Sequence, residues 1–170
     1  MKNQRMLDEL TELMRIDVSS GQETEIAEHL VKKLEQMGFA ITRDEAGATF
    51  GGVCGNILAV REGERDGVVC FCSHMDRVPG GIGIKPVEED GILRSSGDTI
   101  LAADDLSGVA AILEGVRQAI ESGKALPKLE ILFTVGEEAG LYGAKAFDVS
   151  LLTSKTMYVL DSPGLSLIHI

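Results

Sequence analysis

Residues 129–138 read LEILFTVGEE, and this stretch decides the fold. Leu129 to Val135 is short, β-rich and nearly all apolar, the composition of a strand covered on both faces. It stops at Gly136 and opens onto two adjacent carboxylates, Glu137 and Glu138. Upstream, Leu106, Val109, Leu113, Val116 and Ile120 trace one helical face that Gly123 closes. Before that helix, Phe39–Arg43, Asn56–Arg61 (NILAVR) and Val68–Ser73 (VVCFCS) read as strands. Asp90-Gly91, between the two apolar runs of Ile84–Ser96, predicts a hairpin. Two amphipathic helices come first. One carries Leu7, Leu10, Leu13 and Met14; the other carries Ile26, Leu30, Leu34 and Met37. Ser20 and Glu23 fit a capping box for the second, and Gly38 stops it. A short helix at Tyr142–Phe147 and a strand at Met157–Leu160 complete the pattern. Strands alternating with helices give an α/β fold, a mixed and largely parallel sheet flanked by helices.

Composition excludes several classes. A net charge of −11 repels phosphate backbones and anionic bilayers, so neither nucleic acid nor membrane is an expected partner. The three cysteines, Cys54, Cys70 and Cys72, are an odd set without framework spacing, which argues against a disulfide scaffold. Cys70 and Cys72 fall on one face of a strand and read as small core residues. The opening MKNQRMLDEL lacks an apolar signal core, and no run spans a bilayer. The expected location is the cytoplasm.

The chemistry falls at strand ends, where ligands gather in such sheets. VVCFCS ends in His74-Met75-Asp76, LEILFTVG in Glu137-Glu138, and MYVL in Asp161. Asp104-Asp105 lies in the turn that opens the long helix. Each cluster has a plain reading: a core histidine, an exposed acidic turn, a terminal turn, a helix cap. On one sheet edge, however, such carboxylates repel unless a cation neutralises them. Carboxylate oxygens with an imidazole suit Zn²⁺, Mn²⁺ or Co²⁺. Asp76 can orient the His74 ring, and one of two adjacent glutamates can bind metal while its neighbour takes a water proton.

SHMDRVPGG (73–81), LAADDLSG (101–108), VGEEAGLYGAKAF (135–147) and LDSPG (160–164) resemble the M20 metallopeptidases, and most closely their peptidase T-like, tripeptide aminopeptidase-like members. The resemblance implies a zinc aminopeptidase-like catalytic domain with two divalent metal ions, zinc first and Mn²⁺ or Co²⁺ as alternatives. It implies that His74 binds the first metal and Asp76 orients it. Asp104 bridges the two metals, Glu138 binds the second, Asp161 binds the first, and Glu137 is the general base. A metal-bridging hydroxide then attacks the peptide carbonyl of a short peptide. Leu106-Ser107 replaces the Lys-Ala or Lys-Gly common after the Asp pair, at a position that holds no ligand.

The likeness covers roughly the first half of a family member. Residues 1–164 are therefore read as the N-terminal part of the catalytic domain. The lid or dimerisation domain, the C-terminal part and a late His ligand are expected to be absent, so the truncated chain is expected to be inactive and unstable alone. Leu165–Ile170 reads as a non-native tail, and His169 is not taken as the missing ligand. A homodimer is expected of the full-length protein by analogy. Two rival functions share these residues: an amidohydrolase of N-acyl amino acids and a non-catalytic binding module.

Overall fold

The computed structural model describes residues 4–161. The expectations for residues 165–170, including His169, lie outside them.

Helix α1 spans Gln4–Met14 and helix α2 spans Thr24–Gln36. Helix α3 spans Ala103–Glu121, and a single short turn, α4, spans Tyr142–Ala146. Seven strands follow the predicted order: β1 Ala40–Arg43, β2 Ile57–Arg61, β3 Val68–His74, β4 Pro86–Glu89, β5 Ile92–Ser95, β6 Lys128–Thr134 and β7 Met157–Val159.

Five of them form one mixed sheet in the order β1-β2-β6-β3-β7. β3 runs parallel to both β6 and β7, whereas β1, β2 and β6 pair antiparallel. The parallel part requires crossovers, and α3 supplies the one between β3 and β6. β4 and β5 form a separate hairpin. Its turn residues Asp90 (φ 54°) and Gly91 (φ 74°) are both left-handed, as a two-residue hairpin turn demands.

The main core lies on one face of the sheet, where Leu13, Met14, Ile26, Leu30, Val109 and Leu113 pack over Ile57, Ile131 and Phe133. A smaller cluster, Leu58, Cys72, Leu132 and Phe147, covers the other face. LEILFTV is thus the doubly covered strand that its composition requires. Cys70 and Cys72 are buried free thiols, each pushed up to about 12, chiefly by loss of solvent. No helix among the described residues is long and apolar enough to cross a membrane.

The capping box is not formed. Glu23 occupies the N-cap position of α2 with no side-chain bond to the helix. Ser20 and Glu23 instead turn inward, toward groups that the linear pattern could not reveal.

Candidate active site

His74 ends β3, Asp161 lies two residues past β7, and Glu137-Glu138 sits in the turn after β6. Parallel strands that end together therefore deliver an imidazole and three carboxylates to one edge. The start of α3 adds Asp104 opposite them. Asp104 and Asp105 have non-helical backbone angles and are joined by a cis peptide bond.

The His74 ring is buried, and its two nitrogens face different partners. Nε2 stands 3.2 Å from Asp104 Oδ1, 3.9 Å from Glu137 Oε2 and 4.0 Å from Asp161 Oδ2. Nδ1 lies 3.1 Å from the Asp76 carbonyl oxygen and 3.4 Å from Asp76 Oδ1. Donation from Nδ1–H to Asp76 leaves Nε2 as the nitrogen that faces the carboxylates and, on loss of its proton, the one that can bind a metal. His74, Asp104 and Asp161 form one group whose potential ligand atoms lie within 4.8 Å of one another, and His74, Glu137 and Glu138 form a second. The donor set, one imidazole nitrogen among carboxylate oxygens, fits a divalent ion of the zinc, manganese or cobalt kind.

Asp76 does more than hold the imidazole. It is fully buried and accepts hydrogen bonds from the Glu137 amide at 2.9 Å, the Glu138 amide at 3.1 Å and the Ser20 hydroxyl. Burial alone would raise its pKa, but the bonds from His74, Ser20 and the Glu137 amide outweigh it and hold the carboxyl below its ordinary value. For His74, burial disfavours the charged ring. The Asp76 carboxylate, reinforced by Glu137 and Asp105, wins and raises its pKa to about 9. Glu137 is raised by desolvation, aided by Asp161, Asp76 and Asp104 and opposed by His74. Glu138 is raised by desolvation and then by Asp104. Converging carboxylates thus carry the electrostatic load that a cation would relieve.

The two members of the Asp pair divide their roles. Asp104 is largely exposed on the site side. Asp105 is buried and accepts from the Ser73 hydroxyl at 2.6 Å and from the Gly108 amide at 3.1 Å, so it caps the regular part of α3. Desolvation lifts Asp105 to about 6.

A model of Peptidase family M28 matches residues 56–163. The chain belongs to that family. Its similarity to peptidase T enzymes, read above from the motifs, is found again among relatives and solved structures. Aminopeptidase PepT from Bacillus cereus is 40% identical with a TM-score of 0.92, over 95% of this chain and 44% of that one. A tripeptidase from Staphylococcus aureus is 34% identical with a TM-score of 0.89, over 94% of this chain and 43% of that one. The Bacillus subtilis protein YqjE is 38% identical over 165 residues, 96% of this chain and 44% of that protein. The chain thus spans less than half the length of these relatives.

In this M28 family chain, the structure brings together all six residues singled out from the sequence: His74, Asp76, Asp104, Glu137, Glu138 and Asp161. Sequence reasoning missed the groups behind them. Asn56 is fully buried; its Oδ1 accepts the Val135 amide at 3.1 Å and its Nδ2 donates to the Gly143 carbonyl at 2.9 Å, tying the strand before Glu137 to α4. The signal was a lone amide at the head of an apolar run, which reads equally well as a turn residue.

Proposed function

We propose that the full-length protein is a metal-dependent peptidase that releases amino-terminal residues from short peptides, with tripeptides as the leading substrate class. The observation that carries this is the convergence of two potential ligand groups on His74, with Glu137 within 3.9 Å of the same ring nitrogen. His74, Asp104 and Asp161 would hold one ion, and Glu138 would hold a second that Asp104 shares. Zinc is the first choice. Such ions, when bound, polarise the scissile carbonyl and lower the pKa of water at the site.

The rest of the work falls to side chains of this chain. Asp76 keeps the His74 ring in one tautomer and fixes the Glu137-Glu138 turn through two amides. Glu137, partly exposed and raised in pKa, takes the proton from water and returns it to the departing amine. The names of the PepT and tripeptidase relatives support the choice of peptide over other amides. We place this activity in the cytoplasm, on a protein that pairs with a second copy of itself.

The test compares hydrolysis of an unblocked tripeptide and its N-acetylated form by zinc-loaded, full-length protein. Glu137→Gln is expected to lower turnover of the unblocked peptide by about 10²–10⁴-fold, with zinc still bound. Preference for the acetylated form would transfer the assignment to N-acyl amino acid hydrolysis. Failure to cleave either would leave the non-catalytic module.

A further inference from the structure

Three successive amides, those of Gly136, Glu137 and Glu138, lead into the candidate site, and each is received by a buried carboxylate. Asp76 takes the second and third. The first goes to Glu23, whose Oε1 accepts the Gly136 amide at 3.1 Å and the Gly21 amide at 2.7 Å. Glu23 is fully buried, and no Lys, Arg or His among the described residues forms an ion pair with it. Its other oxygen faces the Cys54 thiol, at 3.9 Å. A buried carboxylate without a cation is destabilising unless the hydrogen bonds it accepts serve the fold or the site.

Its surroundings point to the site. Ser20, three residues before Glu23 on the α1–α2 connection, donates to the same Asp76 carboxylate that holds Glu137 and Glu138. One loop therefore grips the post-β6 turn twice, directly through Glu23 and indirectly through Ser20 and Asp76. Gly136 has φ +59°, and a Cβ added there would run into the Phe50 ring, so the turn is packed closely as well as hydrogen-bonded.

We infer that Glu23 is a positioning residue: its Oε1 fixes the Gly136 amide and thereby the direction in which Glu137 and Glu138 point. This deepens the metallopeptidase reading and rests on it. What matters is the place of an acceptor oxygen, not the charge. Glu23→Gln keeps an oxygen at the same reach. Glu23→Asp keeps the charge but withdraws the oxygen by one methylene.

The experiment titrates Co²⁺ into the full-length protein and follows its visible absorption, with wild type, Glu23→Gln, Glu23→Asp and His74→Ala compared. Supporting partners of metal sites typically change affinity 10–100-fold when altered. Glu23→Asp is therefore expected to weaken Co²⁺ binding by about tenfold or more and to shift the band envelope. Glu23→Gln is expected to stay within about threefold of wild type and keep its spectrum. The inference is overturned if Glu23→Asp matches wild type, or if Gln loses as much as Asp. A wild type with no band that His74→Ala abolishes would overturn the metal reading itself, and this inference with it. That pattern differs from a failure of Glu23 alone, in which wild type binds and both Glu23 variants bind equally well.

Discussion

At the scale of single residues, the candidate site depends on a few positions whose backbone leaves no choice of side chain. Gly136 is the sharpest case. Its φ of +59° lies in the left-handed region, and a methyl group there would come within 2.5 Å of the Phe50 ring. That ring cannot simply swing away, because it stacks on Tyr142 with centroids 5.0 Å apart and planes 10° from parallel. Left-handed backbone disfavours a non-glycine residue by about 1–2 kcal/mol, and overpacking adds about 1–3. Gly136→Ala is therefore expected to lose about 2–5 kcal/mol of stability. A denaturant titration with an unchanged midpoint and slope would show that the turn tolerates the methyl. Asp76→Asn probes the other side of the same turn. It replaces one acceptor oxygen with a donor that must face amides already donating, and metal affinity is expected to fall about 10–100-fold. Isothermal titration with Zn²⁺ reads that change.

At the scale of elements, α1, α2 and α3 are joined by charge as well as by the apolar core. Glu114 on α3 is largely buried and accepts from Arg5 through Nε at 2.7 Å and Nη2 at 2.8 Å, from Gln118 at 2.7 Å and from Arg117 at 3.0 Å. Arg117 also reaches the buried Glu9 of α1, which in turn pairs with Lys33 of α2. The Arg5 bonds foremost, against some desolvation, hold Glu114 down to about 2, below the ordinary carboxyl value of 4.5. Because the folded value is depressed, the stabilisation is present above pH 4.5 and is lost as pH falls from there toward 2. Glu114→Gln is expected to be less stable at pH 7 by about 1–2 kcal/mol, a figure discounted for the half-exposed Arg5. The gap should narrow as pH falls through that window, and a constant gap in urea midpoints from pH 7 to pH 3 would refute the assignment. Elements were largely legible in the sequence because periodicity records burial: the five-stranded order aside, each strand and helix lies within a few residues of its pattern. What was not legible was side-chain traffic between elements. Ser20 and Glu23 carry the spacing of a capping box, but burial against the post-β6 turn gives them better partners than the helix does. Glu130 lies inside an apolar strand pattern, yet it is fully buried and receives the Thr153 and Ser154 amides that lead into β7. The six site residues were legible for a different reason, since each lies at or just past the end of a strand, or opens a helix, in a motif of recognisable order.

At the scale of the whole molecule, charge and the site pull in the same direction. The chain has 27 acidic and 16 basic residues, a net −11, and at one sheet edge Asp104, Glu137, Glu138 and Asp161 converge on one imidazole. Without a cation, folding must bring these groups together against their mutual repulsion; with one, the same convergence becomes favourable. Because β3, β6, β7 and α3 all contribute to the site, relief there stabilises the parallel half of the sheet and the helix that crosses it. A divalent ion at 100 times its dissociation constant adds about 2.7 kcal/mol to the folded state. For a domain of this size about 1 kcal/mol moves the melting midpoint by about 2–4 °C, so Zn²⁺ is expected to raise it by roughly 5–11 °C over protein treated with chelator. His74→Ala should abolish most of that increment while keeping any general effect of ionic strength, because salt screens the surface charge but cannot replace the shared ligand. An equal zinc increment in wild type and His74→Ala would mean that the ion acts on the acidic surface as a whole and that the convergence at the sheet edge does not build a metal site.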